Sequence, residues 1–151
     1  MVRNHSKKGF TLIELRVVVL IIGILASIAI PQYFKVVEQA RVAEAMSVIA
    51  TIKSAQERFL ARGGNYTSSF TDLDVSYAGM TATNLPTKFF NATILAGADA
   101  NGPTFQITVT RHTTNQSVAA RYGNYALTAN VPNVQQVKML NPTVILNELI
   151  D

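Results

Sequence analysis

The chain has 151 residues, enough for one small domain and an extension, with 15% charged and 48% hydrophobic residues. It has no cysteine, which excludes disulfides, thiolate metal sites and cysteine nucleophiles. The formal charge of +4 is local: without Arg3, Lys7 and Lys8, the 13 basic residues reduce to ten against nine acids from Phe10 onward. The pI of 9.6 is therefore no argument for nucleic acid binding, which needs a basic face on the folded part.

Residues 1–9, MVRNHSKKG, are short, polar and basic, and read as a leader. Residues 10–31 are mostly apolar, with Glu14 and Arg16 as the charged exceptions. As a helix, 10–30 would span roughly 31 Å, the thickness of a bilayer core. The basic residues before it predict a cytoplasmic N-terminus. From Gln32 to Arg62 the pattern becomes amphipathic. Val36, Ala40, Ala43, Met46, Ile49, Ala50, Ile52 and Phe59 recur mostly at three- and four-residue steps. Lys35, Glu38, Arg41, Glu44, Lys53, Glu57 and Arg58 fill the other positions. Gly63-Gly64 is a helix stop. Residues 10–62 thus predict one long helix, kinked near Pro31, since proline within membrane-associated helices is tolerated and bends them.

Residues 63–88 are rich in Asn, Ser, Thr and Gly and read as a connection, with a short helical turn near Thr71. Three strands follow, at 89–95, 104–111 and 124–131. The middle one carries the alternation T-F-Q-I-T-V-T of a half-buried strand. The stretch 99–103, D-A-N-G-P, is a turn between the first two. The tail from Val134 onward fits either a further strand or a packed extension. The fold class expected is α+β: the C-terminal half of the helix lies on a small antiparallel sheet of three or four strands, and residues 32–151 form a globular head.

The stretch K-K-G-F-T-L-I-E-L at 7–15, followed by a long apolar run with Gly23, Pro31 and Tyr33, resembles the class III signal of type IV prepilins and pseudopilins. The resemblance implies the pilin fold. It also implies cleavage between Gly9 and Phe10 by a membrane-embedded prepilin peptidase on the cytoplasmic side, and N-methylation of the new Phe10 amine. In the resembling family the acid matching Glu14 pairs with the terminal amine of a neighbouring subunit, and the helix loosens between the positions matching Gly23 and Pro31. Physical chemistry agrees in part. An acid in a membrane-entering helix is costly and marks a functional position. Glycine and proline are weak helix residues. Arg16 departs from the family pattern, which is apolar here. It stands two residues from Glu14, a spacing that does not bring helix side chains together. It either snorkels to the headgroups or reaches an acid on another subunit.

Other polar residues read more plainly. Asp72, Asp74 and Asp99 stand in polar loops, where acids are solvated or capping more often than they build a calcium cage of many oxygens. His112 reads as a surface residue. Asn65-Tyr66-Thr67, Asn91-Ala92-Thr93 and Asn115-Gln116-Ser117 fit a glycosylation triplet that also arises by chance. No nucleophile–base–acid set, phosphate loop or dinucleotide motif is present, so the expectation is a structural subunit with no catalytic, metal or cofactor residues. That subunit would sit in the inner membrane as a single-pass precursor. With the pilus assembly machinery it would then form a homo-oligomeric helical filament outside the cell, for adhesion, motility or DNA uptake. The alternatives are a pseudopilin of a type II secretion system and a soluble domain released from an ordinary signal peptide.

Overall fold

The computed structural model describes residues 9–112, 122–123, 125–131 and 138–140. The chain divides into two compact units, residues 1–37 and 38–151. One helix, α1 (Leu12–Gly63), passes through both. It continues through Pro31, whose missing N–H leaves the Ser27 carbonyl without its helical donor. It ends where the glycine pair predicts: Gly64 takes φ +74°, a left-handed conformation open to glycine, and its N–H reaches the Leu60 carbonyl at 2.8 Å.

Within the second unit a five-stranded antiparallel sheet follows chain order, β1 (Leu85–Pro86), β2 (Phe90–Asp99), β3 (Gly102–Arg111), β4 (Ala126–Val131) and β5 (Lys138–Leu140). The four longer strands answer the sheet expected from the sequence, and β1 adds a two-residue rung against Asn91 and Ala92. The tail supplies β5; the rest of it, the basic leader residues and the Asn115 triplet lie outside the described residues. β2 and β3 pair over their full length, from Phe90 opposite Arg111 to Asp99 opposite Gly102. The turn between them therefore shrinks to Ala100-Asn101. The Asp99 side chain accepts the Asn101 N–H at 2.8 Å, and Gly102 takes φ +130°, which L side chains rarely adopt.

Alternation places Phe90, Ala92 and Ile94 of β2 on one face with Phe105, Ile107 and Val109 of β3 and Leu127, Ala129 and Val131 of β4. Facing them from α1 are Val42, Ala45, Val48, Ile49, Ile52 and Ala55. Each fully buried Ile, Leu or Phe in this layer contributes about 1.5–3 kcal/mol. The helix face that does this differs from the stripe expected. Ile49 and Ile52 are buried as anticipated, and Met46 and Phe59 pack at the margin. Val36 is 62% exposed, however, and Ala40, Ala43 and Ala50 also face solvent. The stripe in use runs 38, 42, 45, 49, 52 and 56, and it begins and ends on polar residues, Glu38 and Gln56. Alanines satisfy a three–four spacing on either face, and counting only apolar side chains passes over a face whose two ends are polar.

A chain of residues 32–151 should be soluble without detergent. It should show mixed helix and strand by circular dichroism and unfold in one cooperative transition; a broad, non-cooperative melt would mean that this layer does not hold the unit together.

Candidate functional site

The first unit offers an exposed helix and little else. Every residue from Gly9 to Phe34 is exposed except Ala26, and Phe10 is 78% exposed. By length and composition α1 is apolar enough to cross a membrane, and its apolar window has no buried residue. Leu12, Ile13, Leu15, Val17, Val18 and Val19 begin a surface that a soluble protein would bury.

The start of the helix is built by a reciprocal cap. Thr11 Oγ1 accepts the Glu14 N–H at 3.3 Å, and Glu14 Oε2 accepts the Thr11 N–H at 2.8 Å and its hydroxyl at 2.7 Å. This is the S/T-x-x-E capping box, which satisfies two helix-start donors. The T-L-I-E pattern at 11–14 carries this box in the sequence, at the same glutamate that reads as a membrane-embedded acid. Arg16 has no hydrogen bond or ion pair among the described residues. Gly9 precedes the helix and Gly23 lies inside it, and a Cβ at either would meet nothing within 4 Å. The chain's own packing thus gives no reason for glycine at these positions, and in Gly23's case the helix pays about 1 kcal/mol relative to alanine. At Pro31 the backbone deficit is local, and Ser27 turns its hydroxyl to the Ile24 carbonyl at 2.7 Å.

The second unit holds a charged centre that the sequence reading left on the helix surface. Glu38 is 1% exposed. Arg111, at the end of β3, grips its carboxylate with both arms, Nε to Oε1 at 2.7 Å and Nη2 to Oε2 at 3.1 Å. The Tyr125 hydroxyl donates to Oε1 at 2.8 Å, and Arg41, one turn along the helix, donates to Oε2 at 2.9 Å. The third arm of Arg111 reaches the Gly123 carbonyl at 3.2 Å. Burial, then the Glu38 carboxylate, push the Tyr125 phenol far above its ordinary value, so it remains a donor at any physiological pH. Among the described residues no buried polar side-chain atom is left unpaired.

Two further anchors hold the connection after the helix. The buried Gln56 amide pairs with Thr67 as a neighbouring strand would, donating to its carbonyl at 2.6 Å and accepting its N–H at 3.1 Å. Arg58 clasps Asp74 with bonds of 2.6 and 2.7 Å, and Arg62 stands 3.9 Å away. Asp72 accepts the Thr67 hydroxyl at 2.8 Å, and Asp99 belongs to the hairpin turn. These three acids are thus committed to separate local structures. His112 closes β3, half-buried, with its N–H on the Phe89 carbonyl at 2.8 Å.

The family model described as "Type IV minor pilin ComP, DNA uptake sequence receptor" matches residues 31–137, and that described as "Prokaryotic N-terminal methylation motif" matches residues 4–30. A "Fimbrial protein" of Pseudomonas aeruginosa is 47% identical over 72 residues, 48% of this chain and 47% of the relative. "Fimbrial protein EcpC" of Eikenella corrodens is 35% identical over 99 residues, 66% of this chain and 61% of the relative. A "Type IV major fimbrial protein FimA" of Dichelobacter nodosus is 43% identical over 79 residues, 52% and 45% of the two chains. The chain spans about half the length of the first and third of these relatives.

Removing one partner from a buried pair strands the other charge, so Glu38→Ala should cost about 3–5 kcal/mol. The double change Glu38→Leu with Arg111→Met should cost much less; an equal or larger loss in denaturant titrations would mean that the stranded Arg111 charge is not what Glu38→Ala costs.

The Arg58 hydrogen bonds hold the exposed Asp74 carboxyl below its ordinary value of 3.8. A depressed carboxylate stabilises the fold above its unfolded-state value and loses that contribution as pH falls through the folded-state value. The stability difference between the wild type and Asp74→Asn should therefore be present at neutral pH and vanish in acid below 3.8. A difference that is unchanged across that range would mean that Asp74 contributes by something other than its charge.

Proposed function

The chain belongs to the type IV pilin family, and from that premise we propose that it is the structural subunit of a type IV pilus, made as a membrane precursor and built into a helical extracellular filament. The observation that carries the reading is the exposed apolar helix of the first unit: apart from the Ser27 carbonyl it satisfies its own backbone, yet no described residue covers its side chains. Lipid, and then other copies, are the surroundings that remove such a surface from water.

In this reading residues 1–9 are a leader that prepilin peptidase removes, leaving a methylated amine on Phe10. Residues 10–31 are the transmembrane segment and later the filament core, and 32–151 the head. That a Cβ at Gly9 would meet nothing within 4 Å supports a glycine required by something outside the chain, the peptidase cleft. The vacant space beside Gly23 supports close approach of a neighbouring helix. Gly23 and Pro31 bracket the turns that would loosen as copies pack. Glu14 would exchange its Thr11 partners for the Phe10 amine of a neighbour. The precursor would hold its N-terminus in the cytoplasm and engage the assembly machinery from the inner membrane. The fimbrial names of the relatives favour a pilus over a secretion-system pseudopilin. Among adhesion, motility and DNA uptake, the description of the matching family model favours the last.

Electron microscopy of sheared surface fibres, with mass spectrometry of their subunits, tests this. The expected result is fibres containing this chain, starting at Phe10 and one methyl group heavier. A chain starting at Ile30 and found only in solution would sink the reading and favour the soluble secreted domain.

A further inference from the structure

Glu14 and Arg16 are the only charged residues among positions 9–34, and both are exposed. Two residues along an α-helix turn by about 200° and rise by about 3 Å, so the acid and the base occupy nearly opposite faces of one apolar rod. They cannot pair within one copy. Glu14 is met locally by Thr11, while Arg16 meets nothing among the described residues. A guanidinium does not shed its charge. In a membrane it reaches the headgroups by snorkelling, but among packed helices that route closes and an unpaired charge is very costly.

We propose that Arg16 is an assembly residue, and that in the filament it pairs with Glu14 of a neighbouring copy of this chain. The proposal rests on the filament reading above and specifies its contact. Parallel copies offset by a few ångströms bring Glu14 of one level with Arg16 of the next, the two complementary charges in a run of otherwise uncharged side chains. The opposed faces then decide the form of the assembly. Two copies that share one such pair leave one acid and one base unmet at their outer faces, so a third copy is recruited, and a fourth. A repeated contact that does not close produces an open helix. A carboxylate accepts at two oxygens, so the neighbour's arginine and the terminal amine expected at Phe10 fit on the same Glu14.

The test uses full-length chains expressed in cells that make the fibres, with processing checked by the mass of the membrane-held mature chain. Arg16→Leu should mature normally and yield roughly tenfold fewer fibres or less, as expected for loss of a desolvated pair. Glu14→Arg alone and Arg16→Glu alone should each fail, because each presents like charges. Arg16→Lys, which keeps the charge and leaves Glu14 in place, should recover most of the wild-type yield. Wild-type yield from Arg16→Leu, or a yield from Arg16→Lys as low as that from Arg16→Leu, overturns the proposal and leaves the filament reading standing. If wild-type cells make no fibre containing this chain, the filament reading itself fails.

Discussion

A carboxylate buried to 1% exposure can persist only if its partners repay its lost water, and Glu38 has four donors within 3.1 Å. They come from α1, from the end of β3 and from just before β4. The carboxylate thus joins three parts of the second unit that are far apart in sequence. The two-armed grip of Arg111 has a fixed planar geometry. Rotating α1 about its axis, or sliding it by one residue, would strand a charge on each side. The apolar stripe from Val42 to Ala55 tolerates such shifts better, because small and branched apolar side chains repack at modest cost. The ion pair therefore specifies the register of helix against sheet more than it adds stability.

The rings nearby belong to the same device. Phe90 meets the Tyr125 ring edge-on at 6.0 Å, and the guanidiniums of Arg111 and Arg41 stand 5.6 Å from the Tyr125 ring and 4.8 Å from the Phe89 ring. They shield the charges from water while offering their π faces to the cations. At the other end of the stripe, Gln56 and Arg58 fasten the polar connection that follows the helix. In a chain without cysteine, these side-chain clasps hold long irregular backbone in place where a small secreted domain would use a disulfide.

The two units use the one helix in different ways. In the second, α1 has a single buried face and its partner is the chain's own sheet. In the first it is apolar on every side apart from Glu14 and Arg16, and no described residue covers it. The capping box at Thr11 and Glu14 makes the helix start self-sufficient in a lone copy. Assembly, as proposed, would trade that local satisfaction for contacts between copies, so the cap adds to what assembly must overcome.

Local pattern was enough to reveal the apolar run from Phe10, the Gly9–Phe10 motif, the helix stop at Gly64 and the alternating strand 104–111, because each depends on a few neighbouring residues. The helix face that is buried and the fate of Glu38 were not available in that way. A glutamate on an amphipathic helix reads as solvent-facing, and nothing near it in sequence announces an arginine 73 residues away. Only the folding of β3 and β4 against the helix brings Arg111 and Tyr125 to that carboxylate, and only then is burying it less costly than leaving it outside.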